Sequence, residues 1–338
     1  MQNIKKNGII LLLITLIVLF FVIKDDFHEI VSALSNANIL FILLGILFTV
    51  GYWFFKSLAL HRIVREYKKE INVRQIFKQM TITQFFNGIT PFASGGQPFQ
   101  VYMLGKTGLK YTHSTNIIVQ EFIMYQMSLI TLGVVAVILN LKFQFLESNP
   151  LLRNLTLIGF IINTFIGLGL LFVSFSKKFN SFVVNKVIVL FSKINIIKNK
   201  DKTIKSWKIK LKEFNDSAEL LRSNKLLILK VYLYNILGLL CYYLTPLFVI
   251  YSLGFGDNIT LMATFVSCAY VTVIGSFVPI PGGSGGIEYS FLQFFGNFIK
   301  GSGLSAVLIV WRSITYYFAI IVGGLAFNTF KGVEEKCE

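Results

Sequence analysis

The sequence predicts an all-α polytopic membrane protein with about six full transmembrane helices and two re-entrant, broken-helix hairpins whose matched positions suggest an inverted repeat. Three observations carry this. Hydrophobic residues make up 54% of the 338 and charged ones only 14%, against roughly a quarter charged in ordinary soluble domains. Apolar runs close to the 17 to 25 residues needed to span a bilayer recur along the chain. Two short strings also copy one another: Pro91-Phe92-Ala93-Ser94-Gly95-Gly96 and Pro281-Gly282-Gly283-Ser284-Gly285-Gly286.

The first span, 8–23, follows Lys5 and Lys6 as a signal peptide would, but Lys24-Asp25-Asp26 comes next with no small-residue cleavage site, so it reads as a transmembrane helix. Spans follow at 39–55, at 115–141 with Glu121 inside, at 155–175, at 226–253 with Lys230 inside, and at 303–327 with Arg312 inside. Residues 73–90 enter from a basic loop, break at 90–98 and return through 97–104. Their counterpart descends through 260–279, breaks at 279–288 and returns as 287–299. Segment 260–280 is also long enough to cross fully, which would move the C-terminus to the other side. The chain thus divides into a first membrane half at 1–176, a linker at 177–225 and a second half at 226–338.

The formal net charge of +16 is concentrated in loops. Segment 177–225 carries thirteen Lys or Arg, and loop 61–78 is also rich in them. Basic loops stay on the cytoplasmic side, which puts the N-terminus and 177–225 in the cytosol of a plasma-membrane protein. A basic segment can mark nucleic-acid binding, but this one lies between two spans, so attraction to anionic lipid headgroups is the better reading and no nucleic-acid partner is expected. Apolar residues interleaved with Lys186 and Lys193 suggest a helix lying in the interface.

Several chemistries find no support. Cys241, Cys268 and Cys337 have no metal-ligand spacing, and His28, His61 and His113 are scattered. No zinc-protease, phosphate-loop, nucleotide or nucleophile-elbow motif is present. No metal, cofactor or catalytic residue is therefore expected.

Proline removes a backbone donor and paired glycines weaken a helix, so each Pro-x-x-Ser-Gly-Gly string should interrupt one. Broken helices at matching places in two halves point to a transporter site. Unwound Ser-Gly-Gly is expected to leave amides unpaired beside the positive end of a restarting helix, a setting that suits phosphate or carboxylate. The candidate substrate-binding residues are Ser94, Gly95, Gly96 and Gln97 in the first break and Ser284, Gly285 and Gly286 in the second. The competing reading is that the glycines only let helices pack closely. Glu121, Glu288 and Arg312 join the candidates because ionisable groups inside spans are costly unless paired or hydrated. A Glu288–Arg312 pair is the simplest arrangement, as a structural bridge or in substrate handling. Lys56 and Lys230 are expected to snorkel to the interface.

Through Thr90-Pro91-Phe92-Ala93-Ser94-Gly95-Gly96-Gln97-Pro98 and Pro279-Ile280-Pro281-Gly282-Gly283-Ser284-Gly285-Gly286-Ile287-Glu288, the chain resembles the membrane domain of the lysylphosphatidylglycerol synthase/flippase (multiple peptide resistance factor) family and its free-standing YbhN-type relatives. Many relatives have Glu after the first Gly-Gly and an Arg shortly beyond, where this chain has Gln97 and Gln100. The resemblance implies translocation of an anionic or aminoacylated phospholipid between leaflets, with lysyl-phosphatidylglycerol the cargo of two-domain members. Those members also carry a soluble synthase domain that uses aminoacyl-tRNA. This chain stops at Glu338, eleven residues past the last span, and reads as a stand-alone lipid flippase or lipid-binding membrane protein. Two alternatives stay open: a membrane transferase with Glu288 or Glu121 as general base, and a scaffold for a separate lipid synthase. Membrane phospholipid is the expected partner; a separate synthase or a second copy of the chain are further ones.

Overall fold

The computed structural model describes residues 35–146, 150–175, 219 and 223–329, and no strand occurs among them. The predicted span 8–23 and most of the linker 177–225 lie outside the described residues. The helices are α1 (Ile39–Val64), α2 (Val73–Gly88), α3 (Gly96–Lys106), α4 (Tyr111–Phe143), α5 (Pro150–Phe175), α6 (Lys225–Ser252), α7 (Leu261–Gly275) and α8 (Gly286–Phe295). The last span joins α9 (Gly301–Arg312), a π turn (Ser313–Tyr317) and α10 (Phe318–Asn328). Two 3₁₀ turns, Pro91–Ala93 and Pro281–Gly283, interrupt the chain between α2 and α3 and between α7 and α8.

Among the described residues, four helices are long and apolar enough to cross a membrane: α1, α4, α6 and the composite Gly301–Asn328. The apolar stretch of α5, Asn154–Gly169, is shorter, as is α7. At 15 residues α7 rises about 22 Å, short of the roughly 30 Å hydrocarbon core. Segment 260–280 is therefore a half-helix and a break rather than a full crossing. The 16 residues of α2, 11 of α3 and 10 of α8 are shorter than a span for the same reason.

Local sequence sets the helix starts. Asn38 caps α1 by accepting from the Leu40 amide (3.0 Å). Asn72 and Gln75 form a reciprocal capping box at the start of α2. Asn224 caps α6, and Thr260 caps α7 by accepting from the Ala263 amide.

Helices α1 and α6 form the most extensive helix pair and run antiparallel. The Asn38 amide at the start of α1 donates to the Ser252 carbonyl at the end of α6 (2.7 Å). At the other end, Leu227 and Val231 share an apolar cluster with Leu60 and Val64. Between these ends, Gly51 faces Cys241 and Gly238 faces the Tyr52 backbone, so small residues let the two backbones approach. Each of these helices leads directly into a broken pair, α2–α3 after α1 and α7–α8 after α6, and each broken pair is followed by a long span. The same series of elements thus occurs twice, and its two leading helices point in opposite directions, the order expected of an inverted repeat. The larger apolar core, around Trp311, Phe291, Phe295 and Tyr243, belongs mainly to the second half.

Candidate functional site

The two breaks repeat each other bond by bond up to their serines. Thr90 and Ile280 are both extended, with φ,ψ of −122°,146° and −107°,140°. Phe92 (54°,18°) and Gly282 (65°,9°) are both left-handed, as are the next residues, Ala93 (φ 51°) and Gly283 (φ 64°). The Ala93 amide donates to Thr90 O and the Gly283 amide to Ile280 O. The two serine hydroxyls close equivalent turns, Ser94 Oγ donating to Pro91 O (2.8 Å) and Ser284 Oγ to Pro281 O (3.1 Å). The turns also meet: Pro91, Phe92 and Ala93 each have their Cα within 8 Å of those of Pro281, Gly282 and Gly283.

Beyond the serines the copies diverge. In the first break, neutral side chains of the descending helix and its end cap the glycines. The Gly95 amide donates to Thr90 Oγ1 (2.8 Å) and the Gly96 amide to Asn87 Oδ1 (3.1 Å). In the second, the cap is charged and comes from the returning helix, where the Gly285 amide donates to Glu288 Oε2 (2.7 Å). Glu288 Oε1 lies 2.8 Å from Arg312 Nε, and Arg312 Nη2 donates to the Gly282 carbonyl (3.1 Å). The Arg312 guanidinium also sits 4.3 Å from the centre of the Tyr316 ring. The predicted Glu288–Arg312 pair therefore forms, and it fastens the second break to the last span.

Two expectations change. The glycine amides of Gly95, Gly96 and Gly285 are not left open for a ligand, because Thr90, Asn87 and Glu288 already accept from them. Most of the candidate glycines are also packing positions. A Cβ at Gly95 would lie 2.5 Å from Thr90, one at Gly96 2.1 Å from Asn87, and one at Gly286 2.4 Å from Val278. Gly282 is likewise filled, by the Tyr316 ring at 2.3 Å. Among the candidates, Gly285 alone has nothing within 4 Å of where its Cβ would stand. Its φ,ψ of 83°,−53° is a conformation that L side chains rarely adopt. Ser94 and Gly285 are exposed, Gln97 is half-buried, and Ser284 is buried. The exposed rim of the paired breaks thus includes Phe92, Ser94, Ile280 and Gly285.

Glu121 belongs to a separate locus. Lys56 Nζ lies 2.9 Å from Glu121 Oε1 and 4.0 Å from the centre of the Tyr125 ring. Lys56 is 8% exposed, which corrects the expectation that it snorkels: an acid on α4 within reach makes burial cheaper than withdrawal to the interface. Lys230, by contrast, is exposed. Among the described residues no cluster of His, Cys, Asp and Glu gathers that could hold a metal ion.

The model of the family described as the lysylphosphatidylglycerol synthase TM region matches residues 8–323. The chain belongs to this family. A UPF0104 membrane protein of Archaeoglobus fulgidus is 25% identical to it over 306 residues, 88% of this chain and 88% of the relative. No solved structure matches. The match places the chain among multi-pass membrane proteins with a lipid-related role.

Sequence reasoning missed one residue that joins the two breaks. The Tyr316 hydroxyl donates to the Gly88 carbonyl at the end of α2 (3.1 Å), while its ring covers Gly282 and faces Arg312. Tyr316 lies four residues after Arg312, on the same helix face, and that spacing is the signal that could have found it. The π turn that carries it lies directly after Arg312; such turns occur often at functional sites.

Proposed function

We propose that the protein moves a phospholipid with an anionic or aminoacylated headgroup between leaflets, with the paired Pro-x-x-Ser-Gly-Gly breaks as the place where the headgroup passes. The observation that carries this reading is the contact between two matching helix breaks at the interface of an inverted repeat, with part of their backbone exposed. Irregular backbone is tolerated at membrane depth only where it is buried or lines a cavity, so an exposed rim there supports a headgroup path. The lysylphosphatidylglycerol after which the family is described makes that lipid the first cargo to try.

In this conformation Arg312 and Glu288 spend their charge on each other and on the break, so they hold the site's shape. The groups facing a headgroup are Gln97 and the Ser94 oxygen, which can still accept although its proton goes to Pro91 O, beside the first turn of α8, whose leading amides have no partner within the helix. A cytosolic N-terminus and a plasma-membrane location complete the reading, on the strength of the basic loops.

The test is purified protein in liposomes carrying fluorescent phosphatidylglycerol or its lysyl ester, with the outer leaflet quenched by an impermeant reductant. Protection of half the label in empty liposomes and rapid loss of protection with protein is the expected result. Equal protection with and without protein for both lipids overturns the reading. Lipid analysis of a deletion strain separates the transferase alternative: a lipid missing altogether points to an enzyme, whereas a lipid made but confined to the inner leaflet points to translocation.

A further inference from the structure

The two returning half-helices, α3 and α8, lead from the paired breaks toward opposite ends of the molecule. Leu104, near the end of α3, shares an apolar cluster with Leu60, Val64 and Leu227, where α1 finishes and α6 begins. Phe295, at the end of α8, belongs to the other cluster, with Val249 and Ile250 near the end of α6. The 11 residues of α3 and 10 of α8 rise about 15 Å each, half of the roughly 30 Å hydrocarbon core. Each half-helix therefore serves one leaflet.

Both carry an exposed stripe that starts at the rim of the break. On α3 the stripe is Pro98 and Tyr102, following exposed Ser94; on α8 it is Tyr289 and Gln293, following exposed Gly285. Residues four apart share a helix face, so each stripe is continuous with its break. Each also has an exposed tyrosine, 43% at Tyr102 and 42% at Tyr289. The ends differ. On α3 the next position is Lys106, whose ammonium lies 5.9 Å from the centre of the Tyr102 ring. Just beyond it, Lys68 donates to the Thr107 carbonyl, and Lys110 is exposed. The acids of this end, Glu66 and Glu70, lie on the α1–α2 loop and are exposed. On α8 the next position is the neutral Asn297, and Lys300 stands further on, before α9. Tyr102 is backed by other rings: Phe99 is 5.7 Å from it and stacks on Phe86 at 3.9 Å, and Phe327 meets Phe86 and Phe99 edge-on at 5.4 and 5.5 Å.

We infer that the α3 stripe is a binding track for an anionic phospholipid of the leaflet at the basic end, with the lipid phosphate on Lys106 and the glycerol and upper acyl chain against Tyr102. Lysine binds phosphate as a point charge, and a tyrosine suits the place where apolar and wet surfaces meet. Lys68 and Lys110 add to the positive field around that phosphate. The α8 stripe has the tyrosine without the cation and takes lipid regardless of charge. Lysine and tyrosine at a membrane interface can also be plain anchors, and an anchor does not choose among headgroups. That the track feeds the breaks rests on the translocation reading; binding of lipid at α3 does not.

Two measurements separate them. The full-length protein is placed in liposomes containing a trace of phosphatidylglycerol or phosphatidylcholine with a photoreactive diazirine near the top of one acyl chain, and cross-links are mapped by mass spectrometry. Residues 97–106 should be labelled severalfold more by the phosphatidylglycerol probe, and residues 286–295 equally by both. Lys106→Gln should abolish the preference at 97–106 and leave labelling at 286–295 unchanged, which also reports that the variant is folded. Lys106→Arg keeps the charge and should keep the preference. Unlabelled phosphatidylglycerol should compete and soluble glycerol phosphate should not. Equal labelling of 97–106 by the two probes in wild type, a preference that survives Lys106→Gln or is lost in Lys106→Arg, or competition by glycerol phosphate equal to that by the lipid overturns the inference. In the fluorescent phosphatidylglycerol assay, Lys106→Gln should slow lipid movement severalfold. An unchanged rate overturns the feeding role and leaves translocation standing. No lipid movement in wild type removes translocation, and the labelling then decides the α3 site alone.

Discussion

The first and second breaks have the same backbone but different means of holding it. From Thr90 to Ala93 and from Ile280 to Gly283 their conformations agree closely, yet the first copy places Phe92 and Ala93 where the second has glycines. A left-handed conformation costs an L residue about 1–2 kcal/mol, so the first copy carries strain that the second avoids. The first is capped by neutral Thr90 and Asn87, the second by Glu288 locked to Arg312. The charged clamp ties the second break to the last span and, through Tyr316, to the first hairpin. The second break is thus the charged anchor, and the first, with Pro91 to Ser94 exposed, is held by neutral caps alone.

This contrast predicts a ranked series of losses in thermal stability in detergent. Arg312→Gln should cost most, about 3–5 kcal/mol, because it leaves the Glu288 carboxylate buried without its partner. Adding Glu288→Gln to it should recover part of that loss but not lipid movement. Gly282→Ala comes next, at about 1–2 kcal/mol from backbone conformation alone, with displacement of Tyr316 added. Asn87→Ala removes one neutral cap and should cost about 0.5–2 kcal/mol, as lost caps do. Phe92→Gly should be smallest, since relief of left-handed strain is offset by the roughly 0.5–1 kcal/mol of extra backbone entropy that glycine loses on folding. An Asn87→Ala loss equal to that of Arg312→Gln would erase the distinction between the charged anchor and the neutrally capped break.

Much of this architecture was legible in the chain. The duplicated string marked both breaks, and the Glu288–Arg312 pair followed because only a half-helix and a turn separate the residues. Lys56 was not legible, because the snorkelling rule weighs distance from a span end while its partner Glu121 lies on another helix. Nor could the sequence say which glycines are packed. Gly285 and Gly286 are adjacent letters, yet one faces open space and the other Val278. Gly286→Leu is therefore a folding variant, although that glycine was among the candidate substrate-binding residues. Tyr316 escaped notice because a tyrosine on an apolar span looks like any other core aromatic, and its role depends on a turn that brings it over Gly282.

The most direct test of the paired-break account is to tie the two turns together. In a background with Cys241, Cys268 and Cys337 replaced by serine, Phe92→Cys and Pro281→Cys place thiols on turns whose Cα atoms lie within 8 Å, in reach of a short bis-methanethiosulfonate reagent that joins them through two reducible disulfides. The account predicts that the cross-link forms in the membrane and stops fluorescent phosphatidylglycerol from changing leaflets, with movement restored on reduction. Cross-linked protein that moves lipid at the uncross-linked rate would contradict it.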